Sequence, residues 1–553
     1  MRSKLIEILQ KAAPEIADIS VSTSENESHG HYSTNVAFAL SKKWRMSPVE
    51  AGQKLKEAIV KADTGGFLKK IDVVNPGFVN FWLSNAALQA ELKEILKKKT
   101  KYGRPISKEV PLPKIQIEFV SANPTGPLTM ANGRGGFLGD VLANVLEFTG
   151  QKTEREYYVN DTGNQIITLG KSLIVALGYT PRQPVDEQKL YKGDYIKKWA
   201  AKNKAFIKKN QTDPLVVGQR AAKDFLADIK KIVEKMAGIH FDCYTSEERD
   251  IHQKKLPQAA LAVFKKKGLV YEKEGATWLK TTKFGDDKDR VLITCDGYPT
   301  YFLADAGHVL ETKKRGFDEK ILILGPDHYG YVARIKAASQ LVGLAKSYIL
   351  VTQTIRLVKD GKEMKMSKRK GEFLTFEDVV SDVGADAMRF MFLMYAPTTH
   401  IDFDLKLAKE RSLKNPVYYV QYAYVRAANI LRKSKGSPST SSGTKNYFLS
   451  DPPAGGKSKD YQKLDPDASA KLLRELIKFP EIVADTANDH QVHRLTRYAT
   501  ELSRAFHNFY EKERIVGEKD KFLAAARLEL VKATEIVLGN TLGLLGVSKP
   551  KKM

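Results

Sequence analysis

Apolar positions along the chain change period at recognisable places, and those changes divide it into elements. Helical spacing runs through Leu5 to Ala13 and Pro48 to Ala62, and Ile71 to Phe81 alternates like strand. An apolar run, Ile115 to Val120, then breaks into a Pro/Gly-punctuated loop. A helix follows, with Leu138, Val141, Leu142, Val145 and Leu146 at i, i+3, i+4, i+7 and i+8 and Gly150 placed to end it. Lys320 to Gly325 reads as a buried strand, and from Phe403 onward the pattern is helical almost throughout: Tyr418, Tyr422 and Val425 recur on one face, as do Leu495, Tyr498, Leu502 and Phe506.

Length and punctuation set domain limits. With 553 residues the chain exceeds one core. Gly103-Arg-Pro105 and Pro111-Leu-Pro113 mark a break, so we expect a small α/β module over 1–108. A larger α/β unit is expected over 109–405, with a lysine-rich helical insertion near 170–290, and a helical bundle over 406–553. Ser434 to Lys463, rich in Ser, Gly, Pro and Lys, is expected to form an irregular, mobile loop. No repeat of solenoid length is present.

Strand, loop and helix over 115–150 are the layout of a nucleotide site, because helix N-terminal N–H groups at the carboxyl ends of parallel strands attract phosphate. Neither a Gly-x-Gly-x-x-Gly nor a Gly-x4-Gly-Lys-Ser/Thr pattern occurs there, which removes the ordinary dinucleotide and P-loop readings. Charge adds a polyanionic partner. The net +25 divides into +7 over 1–108, +11 over 406–553 and only +7 over the long middle, so the flanks carry the denser positive field. Cys243 and Cys295 stand far apart without a metal-binding pattern, and no apolar run reaches the ~18 residues of a membrane span. A soluble cytoplasmic protein without zinc is expected.

Ser121-Ala-Asn-Pro-Thr-Gly-Pro-Leu-Thr-Met-Ala-Asn-Gly-Arg134 resembles the segment of arginyl-tRNA synthetases that carries the class I His-x-Gly-His element. The resemblance continues in order through Gly139 to Asn144, Arg155 to Asp161, Asp327 to Tyr331, Lys365-Met-Ser-Lys-Arg369, Val420 to Tyr424 and Ala505 to Tyr510. It implies an α/β multidomain protein: a Rossmann-type parallel-sheet catalytic domain, an N-terminal additional domain that grips tRNA, and a C-terminal all-α anticodon-binding bundle. The implied activity is ATP-dependent ligation of L-arginine to the terminal ribose of its tRNA by way of an arginyl-adenylate. Mg2+ is expected with the ATP, and the protein is expected to act as a monomer. The insertion is too short for an editing domain.

Site residues follow from the same resemblance. Glu118, Tyr301 and Asp305 match the positions that line the guanidinium pocket, Asn123 the one that holds the α-amino group, and Ser121 and His328 lie beside them. Thr129, Ala131, Asn132 and Gly133 fall where the nucleotide is held, and Lys365, Ser367 and Lys368 where a mobile basic loop closes on the triphosphate. Tyr510 and Arg514 are anticodon-side candidates, since rings stack bases while cations track phosphates. One departure is central: Thr129-Met-Ala-Asn132 replaces both histidines and the glycine, leaving neutral donors where the family pattern places imidazoles. Two other readings stay open, a non-catalytic RNA-binding paralogue and a class I synthetase for another amino acid.

Overall fold

A computed structural model describes residues 1–24, 27–105, 112–181, 184–364, 374–434, 464 and 467–553. The first module is an antiparallel sheet of β1 (Val21–Thr23), β2 (Tyr32–Thr34), β3 (Leu68–Val74) and β4 (Phe78–Leu83), in the order β1-β2-β4-β3. The strand-like run from Ile71 to Phe81 is thus a hairpin, β3 turning into β4. Its longest helix, Pro48–Ala62, opens on a reciprocal cap between Ser47 and Glu50, with Pro48 in the first turn where its missing N–H costs nothing.

The second unit is built on a five-stranded, wholly parallel sheet. Its strands are β5 (Lys114–Glu118), β6 (Lys152–Val159), β7 (Cys243–Ser246), β11 (Glu319–Leu324) and β12 (Lys346–Val351), ordered β12-β11-β5-β6-β7. Between β6 and β11 the chain also forms a small antiparallel sheet from β8 (Val270–Lys273), β9 (Ala276–Leu279) and β10 (Arg290–Ile293). The insertion is therefore not purely helical. Helices Gly163–Ala176, Asp194–Lys202, Lys204–Asn210 and Pro214–Lys230 lie in it, but Cys243–Ser246 returns to the central sheet as its edge strand, paired to β6 from Glu156↔Cys243 to Val159↔Ser246.

Beside β5 the strand order reverses: β6 and β7 extend the sheet on one side, β11 and β12 on the other. A crevice at the carboxyl ends follows from that reversal. The helix Met130–Phe148 packs directly on the sheet below it. A Cβ at Gly139 would lie 2.2 Å from the ring of Phe119, so only glycine permits this approach. Gly150, at φ 92°, carries the chain out of the helix in the left-handed region.

The two faces of this sheet differ. Ile115, Ile117, Phe119, Tyr157 and Ile321 are buried on one. The other carries Gln116, Glu118, Glu156 and Lys320, all buried under the helix Tyr301–Lys314, where an all-parallel sheet is ordinarily apolar.

Five further helices, Pro416–Ser434, Ala468–Ile477, Phe479–Asp489, His493–Lys512 and Lys521–Leu544, form the C-terminal bundle. Of the loop expected from Ser434 to Lys463, Ser434 ends the helix Pro416–Ser434 and the rest lies outside the described residues. The bundle is locked to the catalytic unit by Arg389, whose guanidinium bonds the Asp140 carboxylate and the carbonyls of Ala237 (3.1 Å), Gly238 (2.8 Å) and Leu545 (3.5 Å). It is tied to the first module by buried Glu481, which accepts the Arg2 N–H and the Tyr32 hydroxyl, each at 2.7 Å. A cleft of about 1070 Å³ opens at this junction, with Arg474, Arg494 and Arg504 among its lining residues. No helix among the described residues is long and apolar enough to cross a membrane.

Candidate active site

Glu118 closes β5, and the two residues beyond Phe119 leave ordinary backbone space: Val120 has φ 66° and Ser121 φ 36°. A β-branched residue is costly there, by roughly 1–3 kcal/mol, and such strain persists only where the surroundings impose it. It turns Ser121 back onto the strand end. The Ser121 hydroxyl donates to Glu118 Oε1 (3.2 Å) and accepts the Tyr158 N–H (3.0 Å), so the loop is pinned between β5 and β6. Asn123 is exposed on the same loop.

Thr129 is the N-cap of the helix Met130–Phe148. Its hydroxyl accepts the Asn132 N–H (3.4 Å), and Asn132 Oδ1 accepts both the Thr129 N–H (2.9 Å) and the Thr129 hydroxyl (2.7 Å). The threonine proton expected to reach a nucleotide is therefore spent inside the cap, and among the described residues only the Asn132 carboxamide N–H2 of this pair is left over. Ala131 is half-buried. Gly133 is buried, its Cα so close to Phe376 that a Cβ would sit 2.1 Å from the ring. Glu118 takes no part in capping this helix.

The charged face of the sheet lies under the loop. Lys320 Nζ stands 3.0 Å from Glu118 Oε2, 3.1 Å from Glu156 Oε2 and 2.7 Å from Gln116 Oε1. His308 Nε2 meets Glu156 Oε2 at 3.0 Å, its Nδ1 lies 3.8 Å from Glu118 Oε2, and its ring stacks on Tyr158 at 4.3 Å. Burial opposes charge on Glu156, yet Lys320 and His308 hold its carboxyl well below the usual range. Burial and Lys320 likewise oppose charge on His308, but Glu156 and Glu118 raise it. One ligand atom each from Glu118, Glu156 and His308 falls within 4.8 Å of the others, a spacing that suits a metal ion, but the Lys320 ammonium lies between the two carboxylates.

Asp305 differs from its neighbours. It sits half-buried one turn after exposed Tyr301, on the same face of the helix Tyr301–Lys314, and it makes no hydrogen bond or ion pair among the described residues. Burial pushes its carboxyl up to about 7, with Glu247 and Glu118 adding to the rise and His308 and Arg334 opposing it. Glu247, which faces His252 at 3.2 Å, is also raised by burial. His328 is exposed in the turn after β11. Glu118, Ser121 and Asp305 thus share the carboxyl-end crevice with Glu156, His308, Lys320 and Glu247, which sequence reasoning did not single out. The signal available was a lysine opening an apolar strand, and a histidine three residues beyond Asp305 on one helical face.

Lys365, Ser367 and Lys368 lie outside the described residues. In the bundle, Arg426 is held between two rings, 4.5 Å from Tyr422 and 4.8 Å from Tyr510, and Tyr510 itself is exposed. Arg514 is exposed beyond the end of the same helix.

A parallel sheet with its crevice at the order reversal, an antiparallel α/β module before it and a helical bundle after it make up the fold of a class I aminoacyl-tRNA synthetase. Three family models match along the chain: "Arginyl tRNA synthetase N terminal domain" over 1–83, "tRNA synthetases class I (R), catalytic domain" over 91–392 and "DALR anticodon binding domain" over 420–553. The chain belongs to the arginyl-tRNA synthetase family. An arginine–tRNA ligase of Bacillus pumilus is 37% identical over 552 residues, covering 98% of this chain and 95% of that one, and the ligase of Bacillus subtilis matches to the same extent. The solved Thermus thermophilus arginyl-tRNA synthetase, 22% identical, superposes with a TM-score of 0.73 over the whole of both chains, a likeness of fold.

Proposed function

We propose that this protein is an arginine–tRNA ligase that first joins L-arginine to ATP, releasing pyrophosphate, and then passes the arginyl group to the terminal ribose of its tRNA. The observation that carries the choice of amino acid is Asp305, a half-buried carboxylate with no partner among the described residues, in a crevice where every neighbouring acid is already paired. A planar guanidinium supplies the donors that such a group lacks.

The reaction needs no protein nucleophile. The arginine carboxylate attacks the α-phosphate, and the residues position and balance charge: Asp305, Tyr301 and Glu118 around the side chain, Ser121, Asn123 and His328 around the backbone end, and Ala131, Asn132 and Gly133 under the nucleotide. Mg2+ enters with ATP as part of that substrate. Lys365, Ser367 and Lys368 complete the phosphate contacts, and Tyr510 with Arg514 belongs to the anticodon side. We divide the chain at 108 and 405 and expect a cytoplasmic monomer, in keeping with two free thiols.

The Thr129–Asn132 cap favours one other reading, an RNA-binding relative without activation chemistry, because it consumes a donor that catalysis would use. One assay separates them: attachment of labelled arginine to bulk tRNA, with lysine, cysteine and glutamine as controls. Arginine alone is expected to be attached. Binding of tRNA without any attachment would establish the other reading.

A further inference from the structure

Lys320 is a buried cation on the charged face of the central sheet, 2% exposed. It enters from β11, whose Lys320 pairs in register with Gln116 of β5, while Glu156 of β6 pairs with Glu118 on the other side. The side chain spans that register. Its three donors go to Glu118, Glu156 and Gln116, and Thr312 shares the same Gln116 oxygen at 2.7 Å.

We propose that Lys320 is a specificity-determining positioning residue for the amino-acid substrate: it fixes Glu118 in one orientation at the strand end and, with His308, cancels the charge of Glu118 and Glu156, leaving Asp305 as the open countercharge. The inference rests on the arginine reading above. Two constraints meet at Glu118. Oε2 is tethered to Lys320 and Oε1 to the Ser121 hydroxyl, so the carboxylate plane is set before any substrate arrives, and a ligand meets a rigid acceptor. Charge is set as well. The two buried carboxylates face the ammonium and the His308 imidazole, so a ligand with one positive side chain meets Asp305, an acid with no hydrogen bond or ion pair among the described residues. Removing Lys320 would leave two carboxylates sharing one imidazole, a site with surplus negative charge and an untethered Glu118.

The test is calorimetric titration of the full chain with arginine and, separately, with ATP. Three proteins are compared: the unaltered protein, Lys320→Met, and the double variant Lys320→Met with Glu156→Gln, which keeps the net charge of the cluster. We expect Lys320→Met to weaken arginine about tenfold or more while ATP stays within about twofold. The double variant should regain the thermal stability of the unaltered protein yet remain weak for arginine, because Glu118 still lacks its tether. Full recovery of arginine affinity in the double variant, or undiminished affinity in folded Lys320→Met, overturns the inference; if the single variant does not fold, the double variant decides by the same criterion. Failure of the unaltered protein to bind arginine at all would instead count against the arginine reading itself.

Discussion

Thr129 and Asn132 bond each other across the first turn of the crevice helix, the backbone N–H of each meeting the side-chain oxygen of the other at 2.9 and 3.4 Å. The pair thus has a structural task in addition to any contact with ATP. Replacing both by alanine should cost about 1–2 kcal/mol of stability through the lost cap and also slow adenylate formation. Thr129→Ser keeps the cap and should keep both properties. Thermal melting and arginine-dependent pyrophosphate exchange, run with tRNA present, check the two effects separately. A double alanine variant that melts lower but exchanges at the full rate would confine this turn to architecture.

The pH dependence of arginine binding should report Asp305. Its carboxyl, raised to about 7 by burial with Glu247 and Glu118 alongside, is protonated below that pH and charged above it. A guanidinium needs the charged form. Arginine affinity should therefore fall by about tenfold per unit as pH drops below 7 and level off above it. Calorimetry between pH 5.5 and 8.5, a range of roughly three units around that midpoint, measures this. A flat profile would remove Asp305 from the pocket.

Asp305→Asn should separate affinity from stability. Loss of the carboxylate is expected to weaken arginine by about 2–5 kcal/mol and to leave ATP binding nearly unchanged. The free protein should become more stable at pH 8. Because the folded chain holds this proton more tightly than the unfolded chain does, stability falls as pH rises from about 4 to 7 and stays reduced above 7. Asparagine abolishes that penalty, on the order of a few kcal/mol for a carboxyl held at about 7, and the gain should vanish at pH 4. Equal weakening of arginine and ATP would point to a general disturbance of the crevice.

Asp140→Asn tests the lock between catalytic unit and bundle. It leaves the buried Arg389 guanidinium with carbonyl partners but no countercharge, which should cost about 3–5 kcal/mol. Denaturant unfolding measures it. Substitution of the exposed Asp402, which pairs with Arg356 at 2.7 Å, should cost under about 1 kcal/mol by comparison.

Much of this architecture is legible in periodicity alone. β5, the helix after it, the bundle faces and the capped helix at Pro48 all announce themselves in the spacing of their apolar positions. The edge strand Cys243–Ser246 does not. Four residues between helical runs carry no period, and their strand character comes from pairing with β6. The charged sheet face was hidden for a different reason. In a chain with 90 Lys and Arg, nothing local marks Lys320 as buried, since its partners Glu118 and Glu156 sit about 200 and 160 positions away and are joined to it only by sheet register. Asp305 was reached through family resemblance, and the structure adds what spacing could not supply, its lack of a partner.

The charged sheet face also separates two properties that are usually discussed together. In the proposed seat the arginine side chain meets Asp305 on its helix and Glu118 at the strand end, and Glu118, Glu156 and Lys320 are rooted in three adjacent strands and held together by register. The side-chain bonds of Thr129 and Asn132 stay within the first turn of their own helix, and the contribution proposed for that turn is to rate. On the proposed reading its residues can diverge without touching the groups around the arginine side chain, so an altered turn is compatible with an arginine-selective seat.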